Sequence, residues 1–170
     1  MYTTFFPNRD RECFGCSLAN YFVLIGEPTL ADKIYAEFRK HPFVCPDGQM
    51  YGTLATRLVS DLTDYLYNGE LLCGSLSPLE EQDLIPLREE QRPLALHAIQ
   101  EEIAAKRIKP QENSFIYQEK ALLIQTGKTI DHWLVDCDNG YIINDGGLEE
   151  ITNINTFLST IHAVLLIRRN

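Results

Sequence analysis

Cys13 and Cys16 stand at a boundary, where Arg9-Asp10-Arg11-Glu12 gives way to an apolar segment running to Ile25. A cysteine nucleophile needs a lowered thiol pKa, a base within hydrogen-bonding reach, and donors for the developing oxyanion. The first turn of a helix meets the first need, because its unpaired N–H groups and macrodipole favour a thiolate. Cys13 falls at that position and Cys16 one turn further in, so Cys13 is the leading candidate and Cys16 its rival. Cys13-x-x-Cys16 with His41-x-x-x-Cys45 also has the spacing of a zinc site. Cys16, however, leads into a long apolar helix rather than a knuckle with turn residues. No metal ligand set and no cofactor are therefore expected.

The elements that must position such a thiol read in two halves. Leu18, Tyr21, Phe22 and Ile25 recur at helical spacing, and Gly26 with Pro28 closes that helix. Thr29 reads as the N-cap of a second helix carrying Leu30, Ile34 and Phe38, which stops before His41-Pro42. Leu54, Leu58, Leu62 and Leu66 predict a third helix over about 53–67, ended by Asn68-Gly69. Pro93 opens a fourth, through Leu96, Ile99 and Ile103 to Arg107. Then the period changes. Ala121–Thr126, His132–Asp136, Tyr141–Asn144 and Ile161–Arg168 read as strands. Gly127, Asp138-Asn139-Gly140 and Asp145-Gly146-Gly147 are the turns between them. Helices first and antiparallel strands afterwards predict one α+β domain over 1–170, a helical half to about 110 and a sheet half from about 114.

Composition narrows the function. A length of 170 residues suits one domain with a real core, and 45% apolar with 23% charged residues is ordinary for a globular protein. The net charge of −9 argues against nucleic acid as a partner, since phosphate binding needs clustered Lys and Arg. The acidic residues Glu80-Glu81-Gln82-Asp83, Glu89-Glu90 and Glu101-Glu102 read as solvated helix faces. Five cysteines, an odd number without a dense framework, predict reduced thiols. No run is long enough for a membrane span, and the start lacks a secretory pattern, so a cytoplasmic protein is expected. Cys73, Cys137, His97 and His162 read as packing or surface residues.

Glu12-Cys13-Phe14-Gly15-Cys16-Ser17-Leu18-Ala19-Asn20, closing at Gly26, resembles the nucleophile helix of the bacteriocin-processing (double-glycine leader) peptidases, in the papain-like cysteine peptidase clan. Alignment on Ser17-Leu18-Ala19 and Gly26 puts the nucleophile on Cys13; the papain pattern Cys-x-x-Cys-aromatic would choose Cys16, but Ser17 follows it. Asp131-His132-Trp133-Leu134-Val135-Asp136 resembles the strand carrying that family's general base. Tyr141-Ile142-Ile143-Asn144-Asp145-Gly146 resembles the strand that ends in the residue orienting the histidine. The resemblance implies a papain-like fold and a catalytic triad of Cys13, His132 and Asp145, with Asn144 as the alternate third member. Two positions depart from the pattern. Phe14 replaces the Gly after the nucleophile, and the upstream oxyanion Gln is absent, leaving Asn8 as the nearest carboxamide to serve the oxyanion. The implied activity is hydrolysis of a peptide or amide bond in a peptide or protein substrate. Acyl transfer or deamidation on the same triad, and an inactive peptide-binding module, are the alternatives.

Overall fold

The structure, a computed structural model, describes residues 4–73, 80–110, 119–125 and 132–170. Thr126, Gly127, Asp131 and the expected start of the sheet half near 114 lie outside the described residues. The chain forms a mixed α+β fold. Helix α1 (Cys13–Leu24) is followed by α2 (Pro28–Glu37), α3 (Ala55–Leu62), strand β1 (Tyr67–Cys73), α4 (Arg92–Ala104) and β2 (Ile108–Pro110). Strands β3 (Ala121–Gln125), β4 (His132–Asp136), β5 (Tyr141–Asn144) and β6 (Gly147–Glu150) come next, then α5 (Ile154–Ser159) and β7 (Ile161–Arg169). The seven strands make one sheet in the order β2-β1-β7-β3-β4-β5-β6, antiparallel except for the β1–β2 pair.

Alternation along the strands divides the core. Leu122, Ile124, Trp133, Val135, Ile143 and Leu165 point to the face covered by α1 to α4. Leu123, Leu134, Ile142, Val164 and Leu166 point to the other face, where Phe157 of α5 packs. Helix α1 is buried on nearly every side, with Leu18, Ala19 and Phe22 at 0% exposure. Each large apolar side chain so removed from water contributes roughly 1.5–3 kcal/mol. A Cβ on Gly15 would lie 2.4 Å from the ring of Phe38, so that glycine lets α2's end close onto α1.

Several expectations are corrected here. The third helix ends at Leu62, because Asp64 and Tyr65 take left-handed φ values of 50° and 64°, and Leu66 is exposed. Tyr67 to Cys73 is instead a strand whose alternate residues are buried, within the stretch read as helical. Thr29 is not an N-cap; α2 begins two residues earlier than that cap implies, at Pro28 with Glu27 before it. In α4 the buried face is Ala95, Ala98, Ile99 and Glu102, while Ile103 is exposed. Glu102 is not on a solvated face. It is buried, accepts a hydrogen bond from Thr56, and is neutralised by Arg57 and Arg107. Gly147 is not part of a turn but opens β6.

The β5–β6 turn meets the N-terminal segment at Gly146, whose φ is +88° and whose added Cβ would lie 2.4 Å from the Phe6 carbonyl oxygen. Gly146→Ala should therefore lower stability by about 2 kcal/mol, through left-handed strain and backbone collision together. Urea denaturation checks this; an unchanged midpoint would mean the turn does not bear on Phe6.

Candidate active site

Cys13 is the first residue of α1 and is partly exposed, so its thiol stands among the unpaired N–H groups of the first turn. Two features hold that turn in place. Glu12, 3% exposed, is paired with Arg9 at 3.0 Å and Arg39 at 3.6 Å. Gly48, at φ +96°, packs so closely on Glu12 that a Cβ would lie 2.9 Å from its Cγ. Asp10 and Arg11 both take left-handed φ values, 34° and 63°, which turn the chain sharply into the helix.

His132 begins β4, and α1 packs on that strand. Ser17 donates its hydroxyl to the Trp133 carbonyl at 3.1 Å, and Phe14 meets the Trp133 ring edge-on at 4.7 Å. Phe14 thus fills the space between helix and strand, at the place where the resembled pattern has a glycine. The result is that His132 and Cys13 line the same cleft, close enough for the thiol to act on the imidazole's pKa. Its Nε2 lies 2.6 Å from Asn144 Oδ1, which leaves Nδ1 as the nitrogen available to the thiol. The ring's pKa is raised from 6.5 to about 9, chiefly by the hydrogen bond to Cys13, against burial, with Asn144 and the Asp145 charge adding to it.

Asn144 closes β5 and makes the hydrogen bond to the ring. Asp145 lies one step on, in the turn at φ 51°, which carries its carboxylate to 3.7 Å from Nε2. Asn8 donates Nδ2–H to Asp145 Oδ1 at 3.0 Å, and its buried Oδ1 has no partner among the described residues. A carboxamide nitrogen has two hydrogens, so one remains. Cys13, His132, Asp145 and Asn8 all line a single cleft of about 460 Å³.

Cys16 is a different kind of thiol. It is buried, donates to the Phe6 carbonyl at 3.2 Å, and has its pKa pushed up to about 12, mainly by burial. Burial likewise raises Cys45 and Cys73, and lifts Cys137 to about 11. His41 commits both ring nitrogens, Nε2 to Asp61 at 2.9 Å and Nδ1 as acceptor from Phe43 N–H at 3.0 Å. Among the described residues no three His, Cys, Asp or Glu side chains gather as a metal site, and no helix is long and apolar enough to cross a membrane.

Sequence reasoning missed Arg11, Gln49 and Met50 as walls of the cleft. Gln49 arrives on a tight loop closed by Cys45 N–H to Gln49 O at 2.8 Å and Gly48 N–H to Cys45 O at 2.9 Å. The Asp47-Gly48 pair marks that turn, but nothing in the spacing says the loop faces Cys13. Compared with models of protein families, with curated proteins and with solved structures, the chain finds no match.

Iodoacetamide at pH 6.5 should alkylate Cys13 first, with Cys16, Cys45, Cys73 and Cys137 lagging by at least about tenfold. Asn144→Ala should slow Cys13 more than Asp145→Ala does; the reverse order would give the orienting role to Asp145. Stability should follow the same ring. Because His132 titrates higher when folded, its stabilisation is complete below about pH 6.5 and lost as pH rises through about 9. The urea midpoint of wild type should exceed that of His132→Gln by more at pH 6 than at pH 9.5.

Proposed function

We propose that this protein is a papain-like cysteine hydrolase that cleaves a peptide or amide bond. The observation that carries the reading is a histidine that shares a cleft with Cys13 at a helix mouth and is held by the Asn144 carboxamide at 2.6 Å. Activation of a thiol requires that pairing: a base in reach, itself oriented by a third group.

In the proposed reaction the Cys13 sulfur attacks the substrate carbonyl carbon and an oxyanion forms. The N–H groups at the start of α1, and the uncommitted hydrogen of Asn8 Nδ2, are the donors placed to take it. The C–N bond then breaks, and the His132 imidazolium gives its proton to the departing amine. Water, deprotonated by the now neutral ring, attacks the thioester carbonyl, releases the acid and restores the thiol with the ring proton. Asn144 accepts the Nε2–H throughout, fixing the tautomer with Nδ1 toward sulfur. Asn144 rather than Asp145 orients the ring in this scheme. Cys16 takes no part, since its proton is held by burial.

His132→Ala and Cys13→Ala should each reduce hydrolysis of a fluorogenic casein by about a hundredfold or more. Wild-type activity should fall as pH rises through about 9, because the ring then lacks the proton it must donate. Wild-type rates from His132→Ala would remove the dyad and leave a peptide-binding module as the better reading.

A further inference from the structure

The Asp145 carboxylate adds its charge to the ring but does not hold it. The ring nitrogen it approaches at 3.7 Å is already held by Asn144. Its Oδ1 takes the Asn8 N–H at 3.0 Å, which locks the carboxylate's orientation. Its Oδ2 has no partner among the described residues, and the side chain is 50% exposed toward the cleft it lines. The cleft's other charged wall, Arg11, is neutralised by Asp47 at 3.3 Å. In the hydrolase reading the Cys13–His132 pair sums to zero, which leaves the Asp145 carboxylate as one negative charge on the cleft wall beside His132.

His132 is the group that protonates the leaving amine, so the space beside it receives the leaving half of the substrate. Resting on the hydrolase reading, we propose that Asp145 is a specificity residue that selects substrates with a cationic side chain, Lys or Arg, immediately after the scissile bond. The carboxylate pairs with that cation in the Michaelis complex, with no proton or electron changing hands. A half-exposed position limits the gain, because solvent screens the pair. The Coulomb interaction over several ångströms near a surface corresponds to a preference of about fivefold.

Two measurements test this and separate it from the hydrolase reading. The first uses two methanethiosulfonates, one bearing a trimethylammonium-ethyl group and one a sulfonatoethyl group. Each transfers its alkylthio group to Cys13 as methanesulfinate leaves, and peptide mapping follows the rate at Cys13 alone. The cation-to-anion rate ratio should fall by about fivefold in Asp145→Asn and further in Asp145→Lys, while remote Glu149→Gln leaves it unchanged. The Asn variant keeps the shape and tolerates the left-handed φ, so it folds. A ratio that Asp145→Asn does not move overturns the proposal. The second digests a pool of end-blocked peptides and reads the cleavage sites by mass spectrometry. Lys and Arg should be enriched after the cut in wild type and near parity in Asp145→Asn; cleavage with no such enrichment overturns the proposal. No cleavage by either protein, together with a ratio that falls, sinks the hydrolase reading but supports a cation site at Asp145.

Discussion

One buried carboxamide grasps the backbone of Phe6 on both sides. Asn20 Oδ1 accepts the Phe6 N–H at 2.7 Å, and its Nδ2 donates to the Phe6 carbonyl at 3.0 Å. The same carbonyl takes the Cys16 thiol, which satisfies both its lone pairs. Asn20 is fully buried, so a lost partner would leave polar atoms unpaired away from water. The N-terminal segment is thereby bound to α1 at one place, and the β5–β6 turn, through Gly146, closes against that place. Tyr35 adds a second fastening, stacking on Phe6 and donating its hydroxyl to the Pro7 carbonyl at 2.7 Å.

One wall of the cleft follows from that junction. Asn8 is two residues beyond Phe6 and reaches Asp145, while Asn144 is held at the ring by the register of β5 on β4. Cys13 depends on the far side of the same construction, where Glu12, Arg39 and Gly48 hold the start of α1. Ser17 and Phe14 then set the helix against Trp133, and with it against His132. Cys13 and His132 are therefore set by buried contacts made close to the backbone, the Ser17 hydroxyl, the Phe14 ring and the Glu12 carboxylate, which lowers the entropy cost of bringing them together.

The sheet half was the more legible part of the sequence. His132–Asp136 and Tyr141–Asn144 are strands with the expected bounds, because short β-branched and aromatic runs between turn residues leave few alternatives. The strand β1 was missed because Asn68-Gly69 reads as a helix stop, and only its tertiary neighbours β7 and β2 make Tyr67 to Cys73 extended. Burial of Glu102 was equally hidden, since its neutralising partners come from α3 and from the approach to β2. At the site, the helix mouth singled out Cys13 and the resemblance supplied His132. That Asn144 rather than Asp145 lies nearer the ring goes with a φ of 51° at Asp145, which adjacent letters in a sequence do not reveal.

The site draws on both ends of the chain: Ser17 reaches Trp133 across 116 positions and Asn8 reaches Asp145 across 137. During synthesis, α1 leaves the ribosome long before the strand that carries the imidazole. Such long-range contacts form late, after the intervening chain has collapsed. Until then the Cys13 thiol has neither the imidazole nor the cleft around it. In the proposed reaction, chemistry at Cys13 thus waits on folding: the thiol meets its base only when the strand that begins at His132 docks on α1.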